Sequence, residues 1–206
     1  MELQTVGDVL FWSYANLAMA HAAVANCAAK FTRTHFMIRS RLFKGLRDGT
    51  MDLGSLLDDD RTKLVMPRSC CYCGADAKLS LDHLIPTAKG GPETGDNVVW
   101  ACRRCNSSKG ARDLLQWYDA RRRFPPLLLL RRYLKLAVAH CRAHGLLTCS
   151  LASAPQLPFQ LAAIPQRFPA PSELVLWEDA SSASPTPSVS SSAEQNDARE
   201  WPIASE

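Results

Sequence analysis

The sequence predicts an α+β fold, in which a small metal-binding module lies between helical segments and precedes a disordered tail. Two Cys-x-x-Cys pairs separated by 28 residues (74–101) indicate the module, because each such turn places two sulfurs within reach of one ion. Apolar positions at near-helical spacing before and after it predict the helices. A composition rich in Pro, Ala and Ser after residue 150 predicts the tail.

These patterns divide the 206 residues into four segments. We expect a helical N-terminal extension (1–66), the module (67–112), C-terminal helices (113–150) and a largely disordered tail (151–206). A chain of this length holds one domain with extensions. Its 47% hydrophobic and 21% charged residues are typical of a soluble globular protein.

The N-terminal segment begins with a long helix predicted over residues 3–31. Residues 9–29 contain no charged side chain, which raises the question of a membrane span. Alanine rather than leucine dominates this run, and serine, asparagine and histidine interrupt it. No lysine or arginine precedes it, so it is a poor signal peptide. We therefore expect a buried amphipathic helix and no membrane role.

Positive charge is concentrated in the body of the chain. The net charge is +4 overall and −3 in residues 181–206, so the first 180 residues carry +7. Residues 30–47 contain six bases interleaved with apolar residues, which predicts one core face and one basic face. The basic face is either a solvated surface or a contact for phosphates. A basic body suits a polyanionic partner.

Helix start and stop signals define the remaining elements. Residues 53–65 are predicted to form a short helix. Asp113 can cap a helix over residues 114–123, which Pro125 and Pro126 end. A further helix is predicted over residues 127–144, with Gly145 just past its end. The apolar stretch at residues 173–179 is either a docking strand or a short interaction motif.

The eight cysteines point to metal binding in a reducing compartment. Four of them form the two pairs: Cys70, Cys73, Cys102 and Cys105. This is ligand spacing rather than a disulfide framework, and a closed shell of four thiolates is typical of structural zinc. Cys71 is a competing ligand for Cys70, which we prefer because it gives the two-residue gap to Cys73. We read the other cysteines as free thiols, which favours the cytoplasm.

Polar residues occur in a specific order between and after the cysteine pairs. Asp82 and His83 come first, a Gly-Gly loop and Asn97 follow, and Asn106 stands directly after the last cysteine. This order resembles the HNH endonuclease family, in its cysteine-bearing form with Asn as the last signature residue. The resemblance covers about 45 of the 206 residues. It implies a ββα-metal fold, with strands at residues 79–81 and 98–101 and a helix at Asn106.

The resemblance also implies catalytic roles. His83 would be the general base that deprotonates the attacking water. Asp82 and Asn106 would hold one divalent ion, Mg²⁺ or Mn²⁺, through oxygen ligands. Asn97 would fix the loop and orient His83 through backbone hydrogen bonds. The expected products carry 5′-phosphate and 3′-hydroxyl ends.

Four basic residues surround these positions in sequence and are expected to bind the nucleic-acid backbone: Lys109, Arg112, Arg103 and Arg104. The expected substrate is DNA, and a double-strand cut would need a homodimer or two sequential nicks. Each signature residue also has a structural interpretation, since Asn97 can be a turn residue and Asn106 a helix cap. The alternatives are a non-catalytic zinc-knuckle protein that binds nucleic acid, and a nuclease selective for RNA or for branched structures.

Overall fold

The computed structural model describes most of the chain before residue 179, namely residues 2–54, 56, 68–76 and 78–178. Within these residues the predicted α+β class is confirmed. The helices are α1 (Val6–Ala25), α2 (Arg33–Arg47), α3 (Arg103–Lys109), α4 (Leu114–Asp119) and α5 (Leu127–Ala143). The strands are β1 (Leu79–His83) and β2 (Val98–Cys102). Most of the helix predicted over residues 53–65, and the tail from residue 179, lie outside the described residues.

Helix α1 is shorter at both ends than the helix predicted from the sequence. Its start is fixed by a capping box, in which the Thr5 hydroxyl accepts from the backbone of Asp8 and the Asp8 carboxylate accepts from the backbone of Thr5. Cys27, just beyond its end, has a φ of 50°, which does not continue a right-handed helix. Gly7 packs so tightly that a Cβ there would lie 2.7 Å from the Leu147 carbonyl oxygen. The first turn of α1 therefore packs tightly against the segment that follows α5.

The uncharged stretch of α1 is buried within the protein. The helix packs against both α2 and α5, and its polar Ser13 and Asn16 are buried together with its apolar residues. The amide of Asn16 donates to the Trp12 carbonyl and accepts from Arg39. No helix among the described residues is long and apolar enough to cross a membrane.

Helix α2 has the two faces that the sequence predicts. Phe43 and Leu46 are buried on the side that faces α1. The opposite side exposes Arg33, Arg41 and Lys44 to solvent. The outward face of α2 therefore carries these bases beside the exposed Phe36 and Met37, and the helix contains no acidic residue.

Strands β1 and β2 form an antiparallel pair in the order expected for the module. The register pairs Leu79 with Cys102 and His83 with Val98. β1 extends further than the predicted strand, so Asp82 and His83 lie within it rather than after it. Helix α3 follows β2 directly and packs against both strands. This arrangement is a ββα unit.

Residues 151–178 do not behave as the predicted disordered tail. They contain short 3-10 turns and bury Phe159, Ile164 and Leu174 in the core. The carbonyls of Val175 and Leu176 accept hydrogen bonds from the first two N–H groups of α5. The apolar stretch at residues 173–179 thus docks on its own chain through its residues up to 178, although not as a strand. The prediction failed because Pro and Ala-rich composition does not reveal long-range packing.

The segments that the sequence predicts as separate share one apolar core. It contains Leu10 from α1, Tyr72 from the first cysteine turn, Leu114 from α4 and Tyr133 from α5. The ββα unit is therefore packed against the flanking helices and shares its core with them.

Candidate active site and metal centre

Four thiols converge where the two Cys-x-x-Cys turns meet. Their Sγ atoms all lie within 4.8 Å of one another, and they belong to Cys70, Cys73, Cys102 and Cys105. The first pair precedes β1 and the second joins β2 to α3, so strand pairing brings them together. Cys71 is buried but lies outside this cluster, and its backbone N–H donates to the Trp100 carbonyl. The structure therefore favours Cys70 over Cys71 as a ligand.

The spacing of the thiols fits a tetrahedral metal. Four sulfurs at about 2.3 Å from a zinc ion form a tetrahedron with edges of about 3.8 Å. The Sγ atoms of Cys73 and Cys102 are 3.8 Å apart. The backbone N–H of Cys105 donates to the Cys102 sulfur at 3.5 Å. The cluster could therefore hold a metal such as zinc.

The electrostatics of the cluster point the same way. A hydrogen bond from the Cys105 thiol lowers the pKa of Cys70 to about 5. The same bond, together with burial, raises the pKa of Cys105 above its ordinary value. Burial raises the pKa of Cys73 to about 11. The lowered pKa of Cys70 favours a thiolate, which is the form in which cysteine binds a metal.

Asp82 and His83 are neighbours on β1 and face opposite sides of the strand, as successive residues do. Asp82 is 8% exposed, whereas His83 is half-buried. The Tyr72 hydroxyl donates to Oδ2 of Asp82 at 2.7 Å. The ammonium of Lys109 lies 3.1 Å from Oδ2 and 3.3 Å from Oδ1 of the same carboxylate. The strand thus separates a fixed carboxylate from an accessible imidazole.

Lys109 departs from its predicted role. Its side chain is 1% exposed, and Nζ donates to the His83 carbonyl at 2.7 Å as well as to Asp82. Burial lowers the pKa of Lys109, and the Asp82 carboxylate opposes that shift. Lys109 therefore braces the end of β1 from within the protein, and the prediction that it contacts the nucleic-acid backbone does not fit this placement. The sequence could not show that Lys109 is buried, because its spacing from Asn106 is one helical turn in either case.

Asn106 lies on α3 beside β1. Its amide nitrogen donates to the Ser80 hydroxyl at 2.9 Å and to the Leu81 carbonyl at 3.2 Å. These bonds place the amide next to the residue that precedes Asp82. The half-buried side chain leaves its amide oxygen without a hydrogen-bond partner among the described residues. That oxygen is available as a ligand.

Asn97 is fully buried and holds the loop that follows His83. Its amide oxygen accepts from the Ile85 N–H at 2.9 Å, and its amide nitrogen donates to the carbonyls of Ile85 and Pro92. Gly91 is required in the same loop, since a Cβ there would lie 2.1 Å from the Ile85 carbonyl oxygen. Asn97 therefore acts within the loop and has no access to solvent.

The predicted arginines divide into two groups. Arg103 and Arg104 are exposed at the start of α3, one turn before Asn106. Arg112 folds back instead, and donates to the carbonyls of Lys109 and Ser108 at the end of α3. Arg103 and Arg104 are thus open to a ligand, whereas Arg112 is engaged with the helix.

Three residues that contribute to this region have no signal in the sequence. Tyr72 lies inside the first cysteine turn and reaches Asp82. Ser80 receives the amide of Asn106. Arg132 on α5 donates to the carbonyls of Asp96 and Gly95, just before β2. Each acts through a tertiary contact, which spacing along the chain does not encode.

Comparison with known proteins agrees with this geometry. Residues 70–114 match the model of the family described as HNH endonuclease. This segment, which contains both cysteine pairs, β1, β2 and α3, matches an HNH endonuclease domain. The resemblance seen in the sequence is thereby confirmed.

A curated relative extends the comparison. The chain is 40% identical over 52 residues to the CRISPR-associated endonuclease Cas9 of Corynebacterium diphtheriae. The match covers 23% of this chain and 5% of that Cas9, so the similarity is confined to a small part of both proteins. No solved structure matches the chain significantly.

Proposed function

We propose that this protein is a metal-dependent endonuclease that hydrolyses DNA phosphodiester bonds. The observation that carries the proposal is the arrangement on β1, where a fixed Asp82 carboxylate and an accessible His83 imidazole are neighbours. Asn106 is hydrogen-bonded to the same strand. The HNH endonuclease match over residues 70–114 supports a nuclease, and the geometry supports these roles for its residues.

In the proposed reaction His83 takes a proton from a water molecule as the water oxygen attacks phosphorus. Imidazole is suited to this step near neutral pH. The bond from phosphorus to the 3′ oxygen breaks and that oxygen takes a proton from solvent, which leaves 5′-phosphate and 3′-hydroxyl ends. The carboxylate of Asp82 and the amide oxygen of Asn106 are oxygen donors that suit Mg²⁺ or Mn²⁺. A divalent ion held there supplies stabilisation of negative charge on the leaving oxygen.

We propose Zn²⁺ as the metal of the four-cysteine site. Four thiolates leave no open position for a substrate, so this ion would be structural. None of the eight cysteines, all of which lie in the described part of the chain, forms a disulfide, which supports a reducing compartment and hence the cytoplasm. The site differs from Asp82 and Asn106 in ligand type, since its ligands are sulfur rather than oxygen.

The proposed partner is the phosphate backbone of DNA. Arg103 and Arg104 flank the site, and the outward face of α2 offers Arg33, Arg41 and Lys44 without an acidic residue in the helix. Removing one phosphate contact makes the slope of log K against log salt shallower by about 0.9. Changing Arg41 and Lys44 to glutamine should therefore make that slope shallower by about 1.8 in a DNA-binding titration. Changing the exposed Arg122 and Arg167 to glutamine serves as the control. An equal change of slope in both double variants would argue against a phosphate contact on α2.

Plasmid cleavage with zinc-loaded protein and Mg²⁺ or Mn²⁺ tests the activity. Wild type should convert supercoiled DNA to nicked or linear forms, and His83→Ala should abolish conversion. His144→Ala, a change at an exposed histidine at the end of α5, should cleave like wild type. Equal cleavage by wild type and His83→Ala would exclude His83 as the base.

The order of the products reports how many sites act together. Two sequential nicks accumulate open-circular DNA before linear DNA, whereas a homodimer yields linear DNA directly. A folded, zinc-loaded protein that cuts neither duplex, branched DNA nor RNA would favour a non-catalytic nucleic-acid-binding module. Cleavage of RNA or branched DNA alone would favour the structure-selective alternative.

A further inference from the structure

A buried tyrosine connects the cysteine cluster to the proposed catalytic carboxylate. Tyr72 lies between Cys70 and Cys73, in the turn that carries the first ligand pair, and is 1% exposed. Its hydroxyl donates to Oδ2 of Asp82 at 2.7 Å, a short bond of the charge-assisted kind. Tyr72, which contacts Asp82, is thus flanked in the chain by two cysteines of the cluster.

The ring of Tyr72 has little freedom to move. It packs edge-on against Trp117, with centroids 5.2 Å apart, and against Tyr118 at 6.4 Å. Both partners lie on α4 and are buried. Interiors packed in this way resist displacement, so the hydroxyl is held at one position.

The donors around Asp82 fix how its carboxylate is oriented. Tyr72 and Lys109 both donate from buried positions, and Lys109 reaches both oxygens. An ionised carboxylate offers about four lone-pair sites, so these bonds leave room for a further ligand. With one donor removed, the carboxylate can rotate away from the orientation that the other ligand, Asn106, requires.

We propose that Tyr72 is a positioning residue that holds Asp82 in the orientation needed to bind the divalent ion. The proposal rests on the proposed function, in which Asp82 is an ion ligand. Loss of a hydrogen bond to a metal ligand lowers metal affinity by about 10–100-fold. The sequence does not predict this role, because neither the separation of Tyr72 from Asp82 along the chain nor its residue type indicates it.

The test compares Tyr72→Phe with Tyr118→Phe in the full-length, zinc-loaded protein. Both changes remove one buried tyrosine hydroxyl from the same aromatic cluster, but the Tyr118 hydroxyl has no hydrogen-bond partner among the described residues. Phenylalanine keeps the ring, so packing against Trp117 is retained. Zinc content and the thermal midpoint show that each variant is folded and loaded.

Mn²⁺ affinity, measured by titration in the His83→Ala background, is a readout independent of cleavage. We expect Tyr72→Phe to weaken Mn²⁺ binding by about 10–100-fold with unchanged zinc content. Tyr118→Phe should bind Mn²⁺ like its parent. Wild-type affinity in Tyr72→Phe, or an equal loss in both variants, would overturn the positioning role.

The cleavage assay separates this proposal from the one it rests on. If wild type cleaves and Tyr72→Phe needs about 10–100-fold more Mg²⁺ for half-maximal rate, both stand. If wild type cleaves and Tyr72→Phe shows the wild-type Mg²⁺ dependence, only the positioning role is wrong. If wild type cleaves nothing and the His83→Ala parent binds no Mn²⁺, the assignment of Asp82 fails, and the role of Tyr72 fails with it.

Discussion

Asp82 and His83 illustrate how much one strand position changes the chemistry available to a side chain. Asp82 is buried and receives two donors from inside the protein, whereas His83 is accessible from the other side of β1. The alternation of a strand places the proposed ligand and the proposed base on different sides without any special loop. Lys109 completes the arrangement by contacting both residues, through the carboxylate of one and the carbonyl of the other.

Asn97 is a residue whose effect on stability can be predicted. Replacing it with alanine should lower the free energy of unfolding by about 2–4 kcal/mol, because buried polar groups of Ile85 and Pro92 would lose their partners. Denaturant unfolding of the zinc-loaded protein measures this. Asn106→Ala, at a half-buried position, is the control and should cost less than about 1 kcal/mol. Equal losses would mean that Asn97 does not hold the loop.

At the scale of elements, helix ends hold the module in place. Helix α5 meets the chain before β2 through Arg132, which is 4% exposed and donates to the carbonyls of Asp96 and Gly95. The start of α5 is in turn covered by the carbonyls of Val175 and Leu176. The segment at residues 175–176 carries no proposed catalytic residue. It nevertheless supports α5, which in turn holds the loop before β2.

Asp113 gives a prediction at this scale because it links three elements. It is fully buried, caps α4 through Leu115 and Gln116, and accepts from the Tyr133 hydroxyl on α5 at 2.6 Å and from the backbone of Gln160. Asp113→Ala should lower the free energy of unfolding by about 3–4 kcal/mol, since a cap and a buried hydrogen bond are lost together. Tyr133→Phe, which removes one of these bonds, should cost about 1 kcal/mol.

Chemical denaturation of both variants checks this expectation. If the loss in Asp113→Ala were no greater than in Tyr133→Phe, the helix cap would contribute little. That result would contradict the prediction that Asp113 stabilises the protein as the cap of α4.

At the scale of the whole molecule, a metal held by the four cysteines would cross-link two parts of a shared core. Cys105→Ser should unfold or aggregate the protein, because metal binding at such a site contributes folding energy. Zinc content and thermal melting measure the effect. Cys71→Ser changes a buried cysteine outside the cluster and should keep its zinc. A Cys105→Ser variant with wild-type melting and zinc content would show that the cluster is not a structural metal site.

The C-terminal boundary gives a second prediction for the whole chain. Removing residues 181–206, which carry a net charge of −3, should leave cleavage and stability unchanged. Removing residues 172–206 should destabilise the fold, because it also deletes Leu174 and the carbonyls that cover the start of α5. Melting and plasmid cleavage of the two truncations check this. Loss of cleavage in the shorter truncation would mean that residues 181–206 take part in the working structure.

The sequence alone determined the features that depend on local order. Two cysteine pairs at ligand spacing, an Asp-His pair between them and an Asn after the last cysteine were enough to identify the HNH endonuclease domain at residues 70–114. The cap at Asp113 and the stop at Gly145 located α4 and α5 to within a few residues. These signals can be read from the chain because caps, turns and ligand pairs act over a few residues.

The contacts between side chains that are distant in sequence became known from the folded structure. It placed Lys109 inside the protein, joined Tyr72 to Asp82, and packed residues 151–178 against the core. Each of these outcomes depends on burial against elements distant in sequence, and local residue type and spacing do not reveal which distant elements pack together. The sequence therefore specified the candidate ligands and proposed catalytic residues of the module, and the fold specified how they are held.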